Sequence, residues 1–178
     1  SITKYNKFEA NRNNLSHFSV RSLCVDRAGT LWVGTYSGGV NYYNPLNNRF
    51  VFYHPLGNSE QKLYNIFGPM VYSTGSLWIA TEGGGLLQFN PATKEYTNYL
   101  LEERPVGMHN KNIIKSLMIE RESIWCGTNN GGLYRFHIPT KRFSLIHQFN
   151  EKNLGIYSIY RDSARDYFTS GTSQNYQR

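Results

Sequence analysis

The stretch Leu31-Trp32-Val33-Gly34-Thr35, followed by Gly38-Gly39-Val40, decides how this chain is read. It returns as Leu77-Trp78-Ile79-Ala80-Thr81 with Gly84-Gly85-Leu86, and again as Ile124-Trp125-Cys126-Gly127-Thr128 with Gly131-Gly132-Leu133. The tryptophans Trp32, Trp78 and Trp125 stand 46 and 47 residues apart. The Gly pair follows each Trp by six and seven residues, and an aromatic follows by 18 (Phe50, Tyr96, Phe143). Three offsets held across three copies define an internal repeat, and a period in the mid-forties marked by Trp and Gly is that of a four-stranded propeller blade.

Working outward from the motif, each copy divides into four short strands. In the first copy these are Val20–Val25, Leu31–Thr35, Val40–Tyr43 and Phe50–Tyr53. Each is rich in β-branched or aromatic residues and bounded by turn residues. Asp26 to Gly29 supplies the first turn, because Asp bonds its own backbone and Gly permits positive φ. The Gly doublets serve the turn between the second and third strands. They lack nucleotide-loop spacing and a following helix. Gly and Pro recur too often for any 3.6-residue apolar period to survive.

The predicted fold is therefore all-β, built of four-stranded antiparallel β-propeller blades. About three complete blades and two partial ones are expected across residues 1–178, as part of a larger propeller. Residues 1–19 read as the end of a preceding blade and a linker. Residues 20–57, 66–101 and 113–150 read as blades, and 155–178 as a partial blade. In that last unit Tyr167-Phe168-Thr169 reads as a degraded second strand with Phe168 in place of Trp, after which the repeat stops.

Composition agrees. Aromatics form 15% of the 178 residues and charged residues 17%, a balance that suits half-buried sheets and not a disordered chain. The net charge is +7, but Lys and Arg are scattered, so a mildly basic surface is expected and no nucleic-acid partner. Cys24 and Cys126 occupy different repeat positions and read as free, buried thiols. No apolar run of 18 residues is present.

Propeller strands alternate direction, so the turn after the second strand and the connection entering the next blade share one end. Binding residues concentrate in loops on a rigid scaffold. That end is expected to present Tyr36, Glu82, Asn129 and Asn130 from the turns, and His17, Tyr64, Arg104, His109 and Asn110 from the connections. Rings among Asn, Glu and Arg suit a sugar or other small ligand. Trp32, Trp78 and Trp125, mid-strand, are expected to pack between blades, as structural residues together with Gly38, Gly39, Gly84, Gly85, Gly131 and Gly132. The five histidines show no metal-ligand spacing and no nucleophile motif occurs, so no metal, cofactor or catalytic residue is expected.

The core Leu31-Trp-Val-Gly-Thr35 with Gly38-Gly39, its two echoes, and the preceding Asn14-Leu15-Ser16 and Val20-Arg-Ser-Leu23 resemble the two-component regulator propeller repeat. The resemblance spans roughly residues 14 to 162. It implies the periplasmic sensor region of a hybrid two-component system of Bacteroidetes, responding to glycan-derived ligands, with a histidine kinase elsewhere in the full protein. Members of that family carry more blades, a β-sandwich and a membrane helix, so this chain is read as a piece of such a protein. The resemblance implies contact with a membrane only through parts outside the chain. The partners implied are an oligosaccharide or other small ligand, and further blades or a second copy. The alternatives are a protein-interaction scaffold and, behind it, a carbohydrate-active enzyme.

Overall fold

The structure is a computed structural model. It describes residues 14–36, 38–44, 46, 49–53, 66–102, 111–129, 132–149, 155–162, 167–170 and 175–177, with 44, 49, 66, 67, 167–170 and 175–177 as backbone. The described elements are all strands. The first sheet holds β1 (Val20–Val25), β2 (Leu31–Thr35), β3 (Gly39–Asn44) and β4 (Arg49–Tyr53). The second holds β5 (Ile66–Ser73), β6 (Ser76–Thr81), β7 (Leu86–Asn90) and β8 (Glu95–Tyr99). The third holds β9 (Ile114–Glu120), β10 (Ser123–Thr128), β11 (Gly132–His137) and β12 (Arg142–Gln148). A fourth sheet holds β13 (Ser158–Arg161), β14 (Tyr167–Ser170) and β15 (Asn175–Gln177).

Each sheet is an antiparallel meander in chain order. The first strands lie side by side, β1 with β5, β5 with β9, and β9 with β13, and these inner strands run in series around one axis. This is the propeller arrangement the repeat predicts. One expectation is corrected: the repeat does not stop after the second strand of the last unit. β15 pairs with β14 through Phe168–Gln177, Thr169–Tyr176 and Ser170–Asn175. The third strand was not legible because it lacks the Gly doublet that precedes it in the other copies.

Cross-strand partners share a face, so the registers sort each blade's residues onto two sides. The side towards the following blade carries Cys24, Trp32, Tyr42 and Val51 in the first sheet, and Val71, Trp78, Gln88 and Thr97 in the second. Met118, Trp125 and Arg135 are the third-sheet counterparts. We call this the trailing face and its opposite the leading face. The core is made where a trailing face meets the next leading face. Trp32 and Val40 join Met70, Leu77, Ile79, Leu87 and Phe89. Trp78, Ala80 and Leu86 join Leu117, Ile124, Cys126, Tyr134 and Phe136. Trp125 and Leu133 join Ile156.

The tryptophans are thus packing residues. The Trp32 ring meets Phe89 edge-on at 6.1 Å, and Trp78 meets Phe136 at 5.4 Å, each across a blade junction. Fully burying such side chains contributes about 1.5–3 kcal/mol apiece or more, and the aromatic geometry adds to this. Cys126 lies inside this core, where burial pushes its thiol well up and leaves it inert.

Candidate ligand face

The turn after each second strand is tied to the segment that leads into a first strand. Tyr36 N–H donates to the Ser19 carbonyl (3.0 Å), and Asn129 N–H donates to the Ile113 carbonyl (2.9 Å). Glu82 forms an isolated antiparallel bridge with the same Ile113. Tyr36, Glu82 and Asn129 each lie four residues beyond a tryptophan, and all three stand at one end of successive blades. Glu82 and Asn129, from neighbouring blades, converge on Ile113. Lys115 is near enough to feel the Glu82 charge. Burial lowers the lysine's affinity for its proton and Glu82 opposes this, with burial the larger effect.

The first blade holds the best-defined cluster. His17 and Phe18 stack at 4.4 Å with 22° between planes. His17 lies 6.5 Å from the Tyr36 ring, whose face is covered by the Arg21 guanidinium at 4.9 Å. Ser19 N–H donates to His17 Nδ1 (3.0 Å), so a neutral ring carries its proton on Nε2. Phe18 is 73% exposed.

Three polar side chains fix this segment against the sheet. Asn41, buried on β3, accepts from Ser16 N–H (3.0 Å) and donates to Ser16 Oγ (2.8 Å), which also bonds Thr35 Oγ1 (3.2 Å). The close approach explains Gly38: a Cβ there would press on Ser16 Oγ, Thr35 Oγ1 and His17 Cβ, all under 3.0 Å. At the next junction Asn112 does similar work. Its Oδ1 accepts from Leu101 and Glu102 N–H (2.7 and 3.1 Å), its Nδ2 donates to the Glu102 carbonyl (2.7 Å), and its carbonyl accepts from Gly85 N–H (2.9 Å).

Of the residues expected at this end, the structure brings His17 to Tyr36 and ties Glu82 and Asn129 each to Ile113. Tyr64, Arg104, His109, Asn110, Asn130 and Gly131 lie outside the described residues. The sequence reading missed Phe18, Arg21, Ser16, Asn41 and Asn112 as members of the site. Only Phe18, an aromatic next to a candidate histidine, gave a local signal. No group of three or more His, Cys, Asp or Glu that would hold a metal is found among the described residues.

Together the sheets, their order and their junctions define a β-propeller array of repeated four-stranded blades. Residues 15–37 match the model of the two component regulator propeller, the family that the motif resembles. No curated protein matches the chain in sequence. Among solved structures, the chain is similar to the extracellular domain of BT4673 from B. thetaiotaomicron, described as a hybrid two component system in one structure and as a one component system in another. One structure of that domain has TM-score 0.72 and 21% identity over 89% of this chain and 20% of the other. A second has TM-score 0.71 and 24% identity over 96% and 23%. The extracellular domain of the hybrid system BT3049 from the same organism gives TM-score 0.52 at 16% identity, covering 93% of this chain and 29% of that one. The computationally designed Ika4 protein gives TM-score 0.62 at 11% identity, covering 91% and 92%. At these identities the likeness establishes the fold. This chain spans about a fifth of the length of the BT4673 domain chains.

Proposed function

We propose that this chain is a ligand-facing propeller segment in the extracytoplasmic, periplasmic sensor region of a hybrid two-component system, responding to glycan-derived ligands. The observation that carries the reading is the His17–Phe18–Tyr36 cluster with Arg21 at the loop end of the first blade. An exposed ring offers an apolar platform to the C–H face of a pyranose. The imidazole Nε2–H and the guanidinium offer donors to its oxygens. The family match and the likeness to extracellular sensor domains support the assignment to signalling. In this reading the segment binds and transmits, and phosphoryl chemistry belongs to a kinase elsewhere in a full protein.

A thermal-shift and calorimetric screen of the chain against neutral and acidic oligosaccharides tests it. Binding to the folded state raises the melting temperature by mass action. The reading requires a sugar that does so and whose effect is lost in Phe18→Ala and Tyr36→Ala. Turnover of a bound sugar would replace it with an enzymatic one. Silence across the screen, with a stable complex to another protein, would favour a scaffold.

A further inference from the structure

In the first and third blades a carboxylate stands beside the repeat tryptophan. Asp26 Oδ2 accepts from Trp32 Nε1, and Glu120 Oε2 accepts from Trp125 Nε1, each at 3.0 Å. Glu120 also pairs with Arg161 of the following blade at 2.7 Å. At that junction, then, a carboxylate joins an indole N–H to a cation. The junction between the second and third blades repeats the indole and the cation. Trp78 is fully buried, and its Nε1 has no hydrogen-bond partner among the described residues. Lys141 of the following blade sets its Nζ 4.8 Å over the Trp78 ring. The chain supplies no acid there. Trp78 pairs with Val71, so the carboxylate position two residues further on is Ser73.

We infer that this junction binds a small carboxylate from solution, of the size of formate, on Trp78 Nε1 beside Lys141, in the place that Asp26 and Glu120 fill in the other blades. A buried donor left without an acceptor is costly, so an acceptor that reaches Nε1 is held there. Ser73 ends at a hydroxyl and lacks the carboxylate oxygens. A Cβ on the neighbouring Gly75 would meet nothing within 4 Å, so packing does not close the turn. The cation favours an anion over water, because a charge-assisted contact is the stronger one. Lys141 Nζ donates to the neutral Gln88 Oε1 at a long 3.4 Å, and that oxygen already accepts from Tyr99 Oη at 3.0 Å. No acid pairs with Lys141 among the described residues, and burial lowers its affinity for a proton with no carboxylate to oppose this. The lysine is exposed and long, so it can swing aside to admit a ligand. Both blades that form the site belong to this chain. The site lies at the end opposite Tyr36, so it stands apart from the loop-end cluster.

The test follows the three indole N–H signals of the ¹⁵N-labelled chain by NMR, assigned from Trp32→Phe, Trp78→Phe and Trp125→Phe. Sodium formate is titrated in, with sodium chloride holding the ionic strength constant. The Trp78 signal should move and saturate, while those of Trp32 and Trp125, already bonded to acids, stay still. A ligand this small binds no tighter than roughly millimolar. Ser73→Glu, which carries its own carboxylate, should abolish the response. Lys141→Gln should weaken binding by about two- to fivefold, as for a partly exposed charge pair. Circular dichroism checks that both variants fold. Three results would overturn the proposal: a Trp78 signal that does not move up to about 0.1 M formate, far above the millimolar limit; equal movement of all three signals; or a response unchanged in both variants, which would put the anion elsewhere.

Discussion

Trp125 Nε1 donates to Glu120 Oε2 at 3.0 Å, and Trp32 Nε1 donates to Asp26 Oδ2 at the same distance. Each carboxylate stands two residues beyond the first-strand residue that pairs with its tryptophan, Met118 and Cys24. It therefore satisfies the indole N–H on the trailing face. Glu120 also holds Arg161 of the next blade by an ion pair of 2.7 Å. Glu120→Ala removes the acceptor of the Trp125 indole N–H and the ion pair to Arg161. The expected loss is about 1–3 kcal/mol, and Glu120→Gln, which keeps an acceptor, should lose less. Urea unfolding of the two variants side by side checks the order.

The middle blade lacks this device. Ser73 occupies the Glu120 position, each facing the serine that opens the second strand (Ser76 and Ser123). Trp78 Nε1 is buried without a partner among the described residues. Ser73→Glu supplies the missing acceptor, with an expected gain of about 0.5–1.5 kcal/mol. For a chain of this size that is a rise of about 1–6 °C in Tm. A fall in Tm would show that the second blade cannot reproduce the geometry of the third.

Lys141 of the next blade covers the Trp78 ring at that junction without accepting its N–H. Its Nζ lies 4.8 Å over the Trp78 ring and 5.6 Å over Tyr99, from the turn between β11 and β12. Lys141→Gln removes the cation and should cost about 0.5–1 kcal/mol. In the Ser73→Glu background the loss should change, because the two sites share Trp78. A double-mutant cycle measures that coupling.

Asp26 predicts a response to acid. Its partial burial pushes the carboxyl up, but hydrogen bonds from Trp32, Thr30 and Ala28 outweigh this and hold it below its ordinary 3.8. A carboxyl lowered in the folded state contributes stability that is complete above its unfolded value. That stability is lost as pH falls through the folded one. The chain should therefore lose stability below about pH 4. Asp26→Asn should flatten that slope, read from Tm between pH 2 and pH 6.

Gly85 and Gly75 separate two roles of glycine. Both have positive φ, 69° and 76°. A Cβ on Gly85 would run into the Tyr99 carbonyl, while one on Gly75 meets nothing within 4 Å. Gly75→Ala should cost about 1 kcal/mol, and Gly85→Ala clearly more. Equal losses would show that backbone conformation alone sets both.

The blades were legible because a propeller writes its junctions into the chain at fixed offsets. An indole must recur mid-strand to fill each gap, and a glycine must recur where the next strand turns back. Trp32, Trp78 and Trp125, and the positive φ of Gly39 and Gly85, show that relation directly. The third strand of the last unit carries neither mark and was missed. The loop-end cluster was half legible: His17 and Tyr36 were named, but Phe18 and Arg21 were not.

What the sequence by itself determined is the unit, its period and the end of the blades where loops gather, since these follow from alternation and turn chemistry along the chain. The tertiary structure alone decided which polar groups close each junction. Asp26 and Glu120 look like ordinary turn acids until the trailing face brings an indole N–H to 3.0 Å. It alone showed that Leu23 and Val25 stand uncovered where Met70 and Leu117 are covered. Burial is a property of what lies across the gap, and no local pattern records a neighbour that comes from another blade.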